Sequence, residues 1–242
     1  FGGVSQGFRA PNLSDLSRQD IARTNEVETA APALGPERFL SYETGLRSRY
    51  DDWEGSSSVF YTDIQDLIVR QPTGNVVGGS NEVTKKNAGR GYVWGVEGEA
   101  RYRVHPQWTP FCGVSWMTGK VDGYPTSAPV KRTEYLDRLS PLAGNTGLRW
   151  NHPDRPYWVE GLVSMAARQD KLSSADQADT QRIPPGGTPG YATLTFRSGW
   201  EISKYLTLSA AVENVTHEDY RIHGSGLNEP GTNVILGVDC RF

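Results

Sequence analysis

Read backwards in steps of two from its last residue, the chain gives Phe242, Cys240, Val238, Leu236 and Val234, all apolar. The intervening positions are Arg241, Asp239, Gly237, Ile235 and Asn233, mostly polar. A period of two means a strand with one apolar and one wet face. One such strand suits the edge of a soluble sandwich equally well. The constraint comes from repetition of the pattern upstream, with charge kept to one face.

Ten strand-like segments can be drawn, at residues 1–9, 39–50, 55–68, 92–103, 108–118, 139–150, 157–168, 191–201, 205–213 and 233–242. Their connections alternate between long and short. The long ones are 10–38, 69–91, 119–138, 169–190 and 214–232; the short ones are 51–54, 104–107, 151–156 and 202–204. A sandwich has no reason to gather every long loop at one end, whereas a transmembrane barrel has short periplasmic turns and long extracellular loops.

Charge sharpens the reading. Glu43, Arg47 and Arg49 share a phase, as do Glu97, Glu99, Arg101 and Arg103; so do Glu160 with Arg168, Arg197 with Glu201, and Asp239 with Arg241. The third segment breaks the rule, because Asp63 and Asp66 fall in opposite phases, so its upper end reads as loop. The opposite phases carry Tyr42, Leu46, Trp94, Val96, Leu194, Phe196, Leu206 and Leu208. A Lys or Arg facing lipid at mid-depth costs about 2–4 kcal/mol, so a bilayer would enforce this split. Aromatics bracket each short turn: Tyr50 and Trp53, Tyr102 and Trp108, Trp150 and Tyr157, Trp200 and Tyr205. Trp and Tyr favour the headgroup zone, where a flat ring and a polar N–H or O–H are both satisfied, so the set reads as a girdle.

No apolar run approaches the ~20 residues of a spanning helix, which leaves a barrel untouched. A net charge of −3 is too balanced to point to nucleic acid. The two cysteines, Cys112 and Cys240, lie five strands apart, roughly 24 Å at ~4.8 Å per strand. That exceeds the reach of a disulfide, so both are expected to be free, lipid-facing thiols. The start at Phe1 reads as the carboxyl-terminal piece of something longer.

Residues 7–16, 87–99 and 213–220, in that order along the chain, resemble the motifs of TonB-dependent outer-membrane receptors. Gly7-Phe8-Arg9-Ala10-Pro11-Asn12-Leu13-Ser14-Asp15-Leu16 is similar to a "FRAPxLxEL" stretch, followed by Leu34-Gly35-Pro36-Glu37 and Tyr42-Glu43-Thr44-Gly45. Asn87-Ala88-Gly89 and Gly95-Val96-Glu97-Gly98-Glu99 resemble an "N-x-G … G-x-E-x-E" strand. Glu213-Asn214-Val215-Thr216-His217-Glu218-Asp219-Tyr220 departs from the family pattern at His217, and Thr232 stands after Glu229-Pro230-Gly231 where many members have Arg. The resemblance implies an all-β, antiparallel, up-and-down transmembrane barrel of about 22 strands. Residues 1–242 would be its last ten strands, with the plug and first strands lying outside this sequence.

It further implies a Gram-negative outer-membrane receptor without catalysis or cofactor. Such a receptor takes up a siderophore, haem, cobalamin or glycan by coupling to TonB. Its partners would be the TonB complex, outer-membrane lipid, the barrel assembly machinery and a small-molecule or iron-chelate ligand. Candidate ligand contacts in the upper lumen and loops are Arg9, Arg168, Tyr191, Tyr220, Arg221 and His223; Val238, Cys240 and Phe242 are the expected assembly signal. His217 and His223 lack helical ligand spacing and read as an ordinary polar loop rather than a metal site. The proline-rich run 183–190 reads as a shaped loop, either touching ligand or simply rigid. A passive porin or adhesin-type barrel is the rival reading, and a soluble carbohydrate-binding sandwich a third.

Overall fold

In a computed structural model, which describes residues 1–22 and 25–241, the alternating segments pair into one antiparallel wall. The strands along it are β1 (Gly2–Arg9), β4 (Glu37–Arg49), β5 (Trp53–Val77), β6 (Ser80–Tyr102), β7 (Trp108–Gly123), β9 (Ala143–Asn151), β10 (Tyr157–Ala166), β11 (Tyr191–Ser203), β12 (Leu206–Glu213) and β13 (Asn233–Cys240). Three shorter strands lie off that path: β2 (Asp20–Ile21), β3 (Glu26–Thr29) and β8 (Arg132–Tyr135). Sequential neighbours pair throughout the wall, giving the up-and-down order expected from the turns.

Register places the charged phases on one face. Glu54 opposes both Arg49 and Arg101, Arg149 opposes Glu160, and Glu160 opposes Arg197. That face is concave: Phe1, Glu43, Glu97, Ser115, Asn145 and Tyr191, from strands far apart in the order, line a single cavity of about 670 Å³. The convex face is apolar and open, with Val4, Phe8, Leu46, Leu236 and Val238 between 67% and 79% exposed. So large a bare apolar surface suits lipid rather than water.

The turn aromatics meet in register. Trp53 pairs with Tyr102, Trp108 with Trp150 and Tyr157 with Trp200. Ring centroids stand 6.4 Å apart for Trp53–Tyr102, 6.3 Å for Trp108–Trp150 and 5.6 Å for Trp150–Tyr157. Cys112, opposite Ala100 and Thr146, and Cys240, opposite Leu206, are free and exposed on the convex face. Val238 pairs with Leu208 on the same face, while Phe242 lies outside the described residues.

The structure corrects several boundaries. Residues 69–91, expected as a loop, continue β5 and β6 into a ribbon closed at Gly78 and Gly79. Both glycines have positive φ, 57° and 84°, the backbone that turns a tight hairpin. The upper end of the third segment is therefore strand, interrupted by a bulge between Ile64 and Leu67, with Asp66 at φ 56°. An extra residue there switches the phase, which is why Asp63 and Asp66 disagree. β9 starts at Ala143 rather than at residue 139, because Pro141 lacks the donor a ladder needs.

Candidate functional site

At the long-loop end, two connections are folded rather than loose. In the first, Asn12 caps α1 (Leu13–Ser17): its side chain accepts from the Asp15 N–H at 2.8 Å, while Asp15 accepts from the Asn12 N–H at 3.1 Å. Asp15 is buried and binds Arg9 at 2.8 Å and Lys85 at 3.0 Å. Burial works to raise its pKa, but hydrogen bonds from Arg9, the Asn12 N–H and Lys85 outweigh it and hold the carboxyl at about 2. Glu28, 1% exposed, accepts from Arg70 at 3.0 Å, with Lys85 at 3.4 Å and Arg18 at 3.9 Å. Glu37 receives Arg9 at 2.5 Å and the Ile68 N–H at 3.0 Å. Asn87 completes the brace, donating to Gly35 O and Asp66 O and accepting from the Gly35 N–H. Beside these contacts β3 lies parallel on β6, from Glu26 opposite Asn81 to Thr29 opposite Thr84.

The second folded connection contains α2 (Ser174–Ala178), capped by Ser173 in the same reciprocal way. Asp176, 1% exposed, takes the Arg138 N–H at 3.2 Å on each oxygen and its guanidinium at 3.5 Å. Arg138 also binds Asp179 and donates to Gly224 O, tying in the connection between β12 and β13. Ile183, 1% exposed, anchors the proline-rich run, and Gln169 and Thr188 close its base with reciprocal 3.0 Å backbone bonds.

Between the two caps Asp15, Arg70, Lys85, Asp122, Glu134 and Ser174 border a cavity of about 480 Å³, separate in its lining from the lumenal one. The six anticipated contacts divide accordingly. Tyr191 and Tyr220 meet with ring centroids 4.3 Å apart, and Tyr191 reaches the lumenal cavity. Burial and the nearby Glu229 push the Tyr220 hydroxyl above its usual value, so it is a neutral donor at physiological pH. His223 holds Thr188, at the base of the proline-rich run that leads into β11, at 2.8 Å on Nδ1; its Nε2 is buried and has no partner among the described residues. Burial lowers its pKa and Arg138 adds to that, against Asp176. Arg168 donates to Gly186 O at 2.7 Å, and Arg221 to Asn228 at 2.9 Å, so both brace loops. Arg9 stands apart from all of these, its donors engaged by Glu37 and Asp15.

Sequence reasoning missed Lys85, Glu28, Arg70, Arg138 and Asp176. The Asn12/Asp15 and Ser173/Asp176 spacings were legible as capping boxes, but no pattern pairs residue 28 with residue 85. Among the described residues, no three His, Cys, Asp or Glu side chains gather as a metal site. Tyr191 and Tyr220 offer aromatic faces and neutral hydroxyl donors, suited to holding a polar ligand.

A family model described as "TonB dependent receptor-like, beta-barrel" matches residues 1–215. The chain belongs to the TonB-dependent receptor family. Within that family, the pesticin receptor of Yersinia enterocolitica is 26% identical over 238 residues, covering 90% of this chain and 31% of the receptor. That of Yersinia pestis is 25% identical over 237 residues, with the same coverage. The solved copper transporter OprC superposes with a TM-score of 0.73 at 19% identity, over 100% of this chain and 36% of that one. The ferric enterobactin receptor PfeA of Pseudomonas aeruginosa gives 0.72 at 16%, over 100% and 38%. This TonB-dependent receptor chain thus spans about a third of its relatives' length, and the solved structures attest its fold.

Proposed function

We propose that this chain is the carboxyl-terminal part of an outer-membrane receptor that captures a scarce ligand and imports it by TonB-coupled active transport. The ligand enters between the two braced caps, contacts Tyr191, Tyr220 and His223, and passes into the charged lumen. Arg168 and Arg221 brace the loops beside these contacts, and Arg9 acts apart from them by bracing the first cap. An iron chelate is the favoured cargo, in keeping with relatives named for ferric enterobactin and other siderophores. The localisation follows from the same reading, with the short turns in the periplasm, and so do the partners: the TonB complex, outer-membrane lipid and the assembly machinery.

The observation that carries the reading is the half-open cavity bordered by loops held with buried carboxylates in ion pairs. A charge such as Glu28 at 1% exposure is tolerated only with partners held in place, so these loops are fixed walls. The test is growth of a deletion strain, and of the complemented strain, on a panel of ferric siderophores, haem and cobalamin. Uptake of the active ligand should stop when the proton gradient is dissipated. Uptake that continues unchanged without the gradient identifies a passive pore instead.

A further inference from the structure

We infer that the convex wall of β10–β13 carries a glycerophospholipid site, with the phosphate at Arg155 and an acyl chain in a dent beside Trp200. The inference rests on the membrane-barrel reading above. The dent follows from register. Ser198 pairs with Ala210, so two small side chains stand together, flanked in their row by Val159 and Leu236. The row nearer the short turns is Tyr157, Trp200, Leu208 and Val238; the row beyond is Gly161, Phe196, Val212 and Val234. Large side chains on both sides of a small pair leave a depression of about 540 Å³, predominantly apolar and edged by Arg155.

Charge identifies the occupant. At the short-turn end, Arg49 and Arg101 reach Glu54, Arg103 reaches Asp52, Arg241 reaches Asp239, and Arg149 lies 4.0 Å over the Trp158 ring. Arg155 is exposed, and among the described residues its guanidinium has no hydrogen bond, ion pair or ring partner; its backbone alone is bonded, the N–H to His152 Nδ1 at 3.1 Å and the carbonyl to the Tyr157 N–H at 2.8 Å. The Glu201 N–H donates to Pro156 O at 2.9 Å, which fixes this turn beside the end of β11. The Tyr157 N–H donates to Arg155 O at 2.8 Å, which folds Arg155 against the end of β10 in the turn beyond that girdle tyrosine. That puts an unpaired cation just outside the aromatic girdle, at the depth of lipid phosphates. A guanidinium fork matches a phosphate diester, and the dent accepts the attached chain.

The experiment uses full-length receptor purified in detergent, mixed with phosphatidylglycerol or with diacylglycerol of the same chains. Native mass spectrometry counts the lipid retained. Wild type should retain phosphatidylglycerol well above diacylglycerol. Arg155→Ala should lower phosphatidylglycerol occupancy about tenfold, equivalent to ~1.4 kcal/mol, and leave diacylglycerol unchanged. Ala210→Trp, which fills the dent, should abolish retention of both while heat-modifiable migration stays normal. Unchanged phosphatidylglycerol retention in Arg155→Ala, or full retention in a folded Ala210→Trp receptor, overturns the inference. If Ala210→Trp does not assemble, Arg155→Ala decides alone. A receptor absent from the outer membrane would instead defeat the membrane reading on which the site rests.

Discussion

Replacing Lys85 by Met should unlatch the first cap without disturbing the wall. The side chain is 12% exposed, and its ammonium stands 3.0 Å from Asp15, 3.4 Å from Glu28 and 3.2 Å from Ser14 O. Removing one partner of a buried pair typically costs about 3–5 kcal/mol. Here Glu28 keeps Arg70 and Asp15 keeps Arg9, so a discounted ~2–3 kcal/mol is expected. As a local opening energy, that is roughly 30- to 150-fold faster amide exchange. Hydrogen exchange with mass spectrometry on full-length receptor should find it in β3 and α1, with β9–β12 unchanged. Protonating Asp15 works in the same direction. Its folded pKa of about 2 lies below the ordinary 3.8, so its stabilisation is complete above pH ~4 and lost as pH falls through 2. Equal exchange in β3 of mutant and wild type would refute the idea that the ion pairs hold this loop.

Three further outcomes are expected. In a cysteine-free background, cysteines at Arg197, Glu201 and Glu213 should react with a water-soluble thiol reagent and those at Leu194, Leu206 and Leu208 should not; the reverse pattern would invert the wall. His223 has a lowered pKa, so its contribution is present above the ordinary 6.5 and lost as pH falls through the folded value. Protection factors in loops 169–190 and 214–232, corrected for the intrinsic pH dependence of exchange, should therefore be lower at pH 5 than at pH 7.5, and His223→Gln should flatten that difference. Phe242→Ala, which forfeits only ~1–3 kcal/mol of burial, should sharply lower the amount of receptor in outer membranes by immunoblot while the assembled fraction migrates normally. Wild-type levels would remove Phe242 from the assembly signal offered, with Val238 and Cys240, by an edge strand.

Much of the wall was legible in the residues because a bilayer acts on every strand in the same way. One face must be apolar, so Glu97, Glu99 and Arg101 alternate with Val96, Ala100 and Tyr102, and the pattern survives without knowledge of any neighbour. The girdle was legible for the same reason, since each turn meets the interface separately. The caps obey no such periodic rule. Glu28 meets Lys85 and Arg138 meets Asp176 only after the chain has folded back, and many charges in those loops would be equally plausible partners from sequence alone. The bulge before Leu67 and the ribbon closed at Gly78 and Gly79 likewise depend on what β4 and β6 leave to pair with. Local alternation, imposed by lipid, set the barrel's faces; the long-range pairing of buried charges, which only tertiary structure can choose, set the shape of the cavity between the folded loops.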